Sequence, residues 1–143
     1  MRLPEQAEIL LRKAAEDEFA IEVLGQNPAS SDDVIGFHAQ QAVEKTLKAV
    51  LCWASVRYRR THDLVELIDL LRDHGFAFPE DLEQVRRLTR YAALMRYEYL
   101  PAEPERPFDR EWAADCVRKT RAWAAAGSSG RGRPTAMRVP LLY

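Results

Sequence analysis

Apolar residues recur at helical spacing along most of the chain, and no stretch alternates apolar and polar positions as a half-buried strand does. The first helix is predicted to begin near Pro4, with Leu3, Ala7, Leu10, Ala14, Ile21 and Leu24 on one face and Gly25, Asn27 and Pro28 as its stop. Ser30, Ser31 and Asp32 supply N-cap candidates for a second helix running to about Val56. Its heart, Phe37 to Leu51 (FHAQQAVEKTLKAVL), lacks Gly and Pro and is rich in strong helix formers. Gly36, Val43, Leu47, Val50 and Ala54 share one face of it, and His38, Gln41, Glu44, Lys45 and Lys48 form a separate polar arc. Ala39 and Ala42 flank the apolar face and let a neighbouring helix approach closely.

In the third helix Thr61 is the expected cap, with Asp63 in the first turn. Leu64, Leu67, Ile68 and Leu71 form its stripe, and Gly75 is its C′ residue. A fourth helix is expected from Pro79, with Val85, Leu88, Ala92, Met95 and Tyr99 inward and Arg86, Arg87 and Arg90 solvated. Pro101, Pro104 and Pro107 enforce an extended connection to a fifth helix, capped by Asp109, with Trp112, Cys116, Thr120 and Trp123 along one face as core or dimer contacts. The pattern predicts an all-α up-and-down helical bundle of about five helices over residues 1–126, with the second helix at its centre. Residues 127–143 (GSSGRGRPTAMRVPLLY) carry three arginines and no acid, and read as a flexible C-terminal tail.

Composition narrows the function classes. A chain of 143 residues fits one domain, and 47% apolar and 30% charged residues with net charge −1 is an ordinary globular balance. It is not the basic balance of a dedicated nucleic-acid domain. Cys52 and Cys116 match no CxxC pattern and are expected to be reduced and packed. The start lacks a signal-peptide core and no apolar run approaches 18 residues, so a cytoplasmic protein without membrane contact is expected. No metal-spaced His/Cys set and no Gly-rich phosphate loop occurs, and no metal or cofactor is expected.

Candidate chemistry is sparse. Arg57, Arg59 and Arg60 surround Tyr58 and either hold a phosphate or acidic partner or form a solvated loop. Lys45 and Lys48 on the polar arc join them as candidate binding residues. His62 either packs and caps locally or acts as a catalyst, and His74 is expected to be exposed. Glu16, Asp17 and Glu18 read as a solvated acidic face. Arg96 borders the fourth helix's apolar stripe, where a buried guanidinium needs a carboxylate or phosphate partner.

Three blocks together resemble the HEPN family of small helical proteins: FHAQQAVEKTLKAVL at 37–51, THDLVELIDLL at 61–71 and LTRYAALMRYEYLP from Leu88. The Gln-Gln-Ala-x-Glu-Lys core at 40–45, Thr-His-Asp-Leu at 61–64 and Arg-Tyr at 96–97 fall in the family's order. The resemblance covers roughly residues 5–125 and implies a helical bundle that forms a homodimer. It also implies a minimal nucleotidyltransferase as partner, in a toxin–antitoxin pair. Ribonuclease members of the family carry an Arg, four to six residues, then a His on the fourth helix, where the two copies of a dimer build one RNA-cleaving site. Counted from Arg96, the positions for that His hold Pro101, Ala102 and Glu103, and no His follows His74. Arg57 and His62 match the spacing but lie at the junction of helices two and three. The expectation is a HEPN protein without the ribonuclease His that binds a nucleotidyltransferase. The alternatives are a divergent metal-independent ribonuclease toxin, with Arg96 and one of Tyr97, Tyr99 or Glu103 at the site, and a module that binds a nucleotide or RNA. In relatives a tyrosine near the Arg–His motif can accept nucleotidyl groups, which makes Tyr97 and Tyr99 the positions to compare.

Overall fold

A computed structural model describes residues 3–93 and 107–128. Four α-helices and one 3₁₀ helix make up the described chain: α1 (Leu3–Gly25), α2 (Asp32–Trp53), α3 (Leu64–Asp73), the 3₁₀ helix (Glu80–Ala93) and α4 (Arg110–Ser128). No strand occurs among the described residues, and the architecture is the all-α bundle that the periodicity predicts. α2 lies at its centre and packs against each of the other four helices. Ile35, Ala39, Ala42, Val43, Leu47, Ala49 and Leu51 are fully buried along it.

Caps and stops follow from local chemistry. Ser31 is the N-cap of α2, its hydroxyl accepting from the Val34 amide at 3.3 Å. α2 stops at Trp53, three residues before the expected end. Ser55 turns left-handed (φ 57°) and the Val56 amide reaches back to the Leu51 carbonyl at 2.9 Å, closing the helix without a glycine. The N-cap of α3 is Asp63 and not Thr61. The Asp63 carboxylate accepts from the Val65 amide at 2.9 Å, and the Thr61 hydroxyl takes the Asp63 amide at 3.1 Å one step earlier. Gly75 closes α3 as predicted, at φ 87°, with the Phe76 amide donating to the Leu71 carbonyl.

The segment expected as a fourth α-helix winds as a 3₁₀ helix, unusually long for that geometry. Its buried residues explain the winding. Leu82, Val85, Leu88 and Tyr91 recur every three positions, the period of a 3₁₀ turn, so they eclipse one another on the inner face. Tyr91, absent from the 3.6-residue stripe, is the inward residue in the last turn. Its ring lies against Gly36 of α2, where an added Cβ would stand 2.5 Å from the ring. Met95 and Tyr99, the rest of the expected stripe, lie outside the described residues.

α4 is held at both ends. Asp109 caps it through the Trp112 amide at 3.0 Å. The Arg110 guanidinium donates to the carbonyls of Asn27 (2.9 Å) and Ser30 (2.7 Å) and pairs with Asp32 (2.7 Å), fixing the start of α4 to the α1–α2 turn. Near the other end the Trp123 indole donates to the Ala77 carbonyl at 3.1 Å, with its ring edge-on to Phe78. Trp112 lies under the Arg87 guanidinium at 5.2 Å. Both tryptophans are therefore used in packing within the chain. α4 continues through Gly127 and Ser128, and residues 129–143 lie outside the described residues.

Candidate functional site

The Gln-Gln-Ala-x-Glu-Lys core of α2 builds a buried polar cluster. Gln40 and Glu44 stand one helical turn apart, as do Glu44 and Lys48, so all three project to one side. The Glu44 side chain is 5% exposed, and its Oε2 accepts from Lys48 Nζ at 3.0 Å. Its Oε1 accepts from Gln40 Nε2 at 2.9 Å and from His62 Nδ1 at 2.8 Å. Gln40 also takes hold of the His62 main chain, donating to its carbonyl at 3.1 Å, and accepts from Gln41 Nε2 at 2.6 Å. Burial works against the Glu44 charge, yet the Gln40 amide, the Lys48 ammonium and the His62 ring together hold its carboxyl below the ordinary carboxylate range.

This arrangement fixes the tautomer of His62. A carboxylate facing Nδ1 requires the proton there, which leaves Nε2 as an acceptor when the ring is neutral. Among the described residues no group occupies Nε2, and the His62 side chain is 39% exposed. The ring is thus clamped on one edge and open on the other. The next residue but one is held as firmly, since the Leu64 amide donates to Thr89 Oγ1 at 3.1 Å and ties the start of α3 to the 3₁₀ helix.

A second carboxylate cluster lies between α1 and α2. Asp17 Oδ1 is 2.9 Å from His38 Nδ1, and Asp17 Oδ2 accepts from Lys45 Nζ at 2.6 Å. The expected solvated acidic face is therefore corrected: Asp17 is buried and pairs across the helix interface, and Glu18 pairs with Arg121 of α4. Asp17 follows Ala14 by three positions and precedes Ile21 by four, which is the signal in the sequence that it shares their inward face. Gln41 and Glu44 of the polar arc are buried too, Glu44 beneath Lys48 and His62.

The remaining predicted residues separate into two groups. Lys45 and Lys48 are locked by the two carboxylates, and Lys48 also lies 5.6 Å from the Tyr58 ring centre. Arg57, Arg59 and Arg60 are exposed. Arg57 and Arg59 line an open groove of about 570 Å³ whose opposite wall carries Asp63, Glu66, Asp69 and Asp73 of α3 and its cap. Arg59 pairs with Glu66 at 2.7 Å. With four carboxylates facing two guanidiniums, this groove is suited to a partner of mixed charge and poorly to a bare phosphate. Solvated Arg86 and Arg90 are corrected as well: Arg86 pairs with Glu83 and Asp69, and Arg90 lies half-buried against the Tyr91 ring. Arg96, Tyr97 and Tyr99 lie outside the described residues.

Neither thiol is poised for chemistry. Cys52 and Cys116 are free and buried. Burial raises both, Cys116 to about 12, and raises the Tyr58 hydroxyl that lies 3.6 Å from Cys52 Sγ. Among the described residues no group of three or more His, Cys, Asp and Glu is placed to hold a metal ion, and no helix is long and apolar enough to cross a membrane.

Comparison with known proteins identifies the family of the fold. No curated protein and no solved structure matches the chain. The sequence model of the HEPN domain matches residues 7–124, a span that holds both carboxylate clusters and runs from the first inward residue of α1, Ala7, to the last buried residue of α4, Ala124. The chain belongs to the HEPN family.

Proposed function

We propose that this HEPN chain is a binding module without the family's usual ribonuclease chemistry, acting as a homodimer that docks a minimal nucleotidyltransferase in a toxin–antitoxin-like pair. The observation that carries the reading is where the three histidines fall in the chain, since none stands on the fourth-helix segment that carries the His of the family's ribonucleases. His38 is bound to Asp17, His62 to Glu44 and His74 to the Leu70 carbonyl, and none follows residue 74. The docking surface is the mixed-charge groove between Arg57–Arg59 and α3. Such a surface gives specificity and orientation more than affinity. The test is co-purification of the tagged chain with the product of the adjacent reading frame, repeated with Arg57→Glu. Loss of the partner with an unchanged helix signal supports the reading. An adjacent frame unrelated to nucleotidyltransferases, with no co-purifying protein, overturns it.

One observation favours a second reading, a divergent ribonuclease. An imidazole clamped at Nδ1 by a buried carboxylate, with Nε2 open, is arranged as a general base is. His62 Nε2 would take the 2′-hydroxyl proton of an RNA strand as that oxygen attacks the adjacent phosphorus. RNA cleavage by purified protein that disappears in His62→Ala would establish this reading. A folded dimer that leaves RNA intact removes it.

A further inference from the structure

Six charged side chains line the groove beside α3, and they are not equivalent. Four of them are engaged within the chain. Arg59 meets Glu66 Oε1 through both Nε and Nη2, at 2.9 and 2.7 Å. Asp69 pairs with Arg86 of the 3₁₀ helix at 3.4 Å. Asp63 caps α3 through the Val65 amide at 2.9 Å. Arg57 and Asp73 differ from these. Both are exposed, and among the described residues neither has an ion-pair or hydrogen-bond partner. The groove therefore carries one uncommitted cation and one uncommitted anion among its described residues.

We propose that the groove takes a segment of a partner protein that carries one carboxylate, for Arg57, and one ammonium or guanidinium, for Asp73. An apolar side chain of the same segment covers Val65 and Leu70. This rests on the docking role of the groove and goes further, to the charges in it that select the partner. Arg57 and Asp73 are the selecting residues, and the engaged pairs are the frame between them.

Charge complementarity identifies the occupant. A partner charge that approaches Arg59 or Asp69 competes with an ion pair already in place and gains little. One that approaches Arg57 or Asp73 forms a new pair. Asp73 is the last residue of α3, where the partial negative charge of the helix end adds to the carboxylate and favours a cation. A nucleic-acid backbone does not fit, because its phosphates meet four carboxylates against two guanidiniums. A segment of a single sign satisfies one selecting residue and is repelled by the other. Val65, Leu70 and Tyr58 line the same groove and are half-buried, so an apolar side chain laid on them excludes water and strengthens both charge pairs beside it.

The test uses the full chain and the purified product of the adjacent reading frame, with affinity measured by titration calorimetry. Asp73→Asn and Arg57→Gln each remove one charge from an exposed position, and circular dichroism checks that the helices are kept. Each is expected to weaken binding about tenfold, the worth of one charged hydrogen bond. Arg59→Gln/Glu66→Gln removes a pair already closed within the chain and is expected to weaken binding less. Equal losses in Asp73→Asn and in this double variant overturn the proposal. Full affinity in Asp73→Asn where Arg57→Gln has lost it also overturns the proposal and leaves the docking role standing. Failure of the wild type to bind that protein overturns the docking role itself and this inference with it. Oligouridylate is titrated in parallel. RNA that displaces the partner and binds Asp73→Asn more tightly than wild type overturns the proposal in favour of a nucleic acid in the groove.

Discussion

Asp17 and Glu44 each bind one histidine through Nδ1 and one lysine through Nζ, yet the two clusters are built differently. Asp17 bridges two helices through His38 (28% exposed) and Lys45 (23% exposed) alone, both of which water can reach. Glu44 is wrapped by two glutamines as well, one of them fully buried, and its lysine is only 11% exposed. The first cluster is an interhelical tie that solvent can partly replace. The second is a hydrogen-bond set centred on a buried carboxylate and reached by water at His62 (39% exposed), in which loss of the carboxylate leaves buried Gln40 and Gln41, and Lys48, short of a partner. Its product is an oriented His62. Well-packed apolar side chains in place of a buried ionic set are often as stable or more so.

The largest expected effect comes from breaking the Glu44 set. Glu44→Ala strands Gln40, Gln41 and Lys48 and should lower unfolding free energy by about 3–5 kcal/mol in urea, as removal of one partner from a buried charged pair does. Asp17→Ala should cost about 1–3 kcal/mol, because His38 and Lys45 can turn to water. Equal losses would mean that the clusters do not differ in kind. Leu47→Ala calibrates both against the apolar side of the same helix. Leu47 is fully buried at its centre, and the expected loss is about 2–5 kcal/mol. A loss below about 1 kcal/mol would mean that α2 is not the centre of the bundle.

The contrast between the clusters also marks where the sequence is legible. α3 reads directly from periodicity, since all four residues of its stripe are buried and Gly75 ends it. The burial of Glu44 does not, because a carboxylate on a polar arc looks solvated until His62, 18 positions away, is placed over it. Asp17 carries a clue in its spacing from Ala14 and Ile21, outweighed by the acidic residues on either side of it. The 3₁₀ winding of 80–93 was also present in the sequence, as the three-residue recurrence of Leu82, Val85, Leu88 and Tyr91. A helix reading at 3.6 residues catches only part of that stripe and passes over Tyr91. The groove beside Arg57 needed the tertiary structure, because only there do the loop arginines meet the α3 carboxylates.

A smaller effect separates the ionic from the steric demands on α2. Gly36→Ala adds a Cβ against the Tyr91 ring. Helix propensity favours Ala by about 1 kcal/mol, and overpacking costs about 1–3 kcal/mol, so a modest net loss is expected. The loss should vanish when Tyr91 is also changed to Ala. A stabilised Gly36→Ala protein would show that the 3₁₀ helix yields there more readily than the clusters do.

The smallest expected effect lies in the pH dependence of stability, and it tests whether Glu44 is held ionised by its partners. The ordinary carboxyl value is 4.5, and the folded value of Glu44 is lower. Over the interval between them the unfolded chain binds more protons than the folded one, so stability rises with pH there. The Glu44 contribution is fully present above that ordinary value and is lost as the pH falls through the folded one. Glu44→Gln removes the titrating group at similar size. Its lower stability near neutrality is a separate matter, because an amide group faces the Gln40 and Lys48 donors. The comparison is therefore between slopes, measured as unfolding midpoint against pH from about 5 to about 3. The wild-type slope is expected to be the steeper. Parallel slopes in wild type and Glu44→Gln would mean that the Glu44 cluster does not hold its proton off.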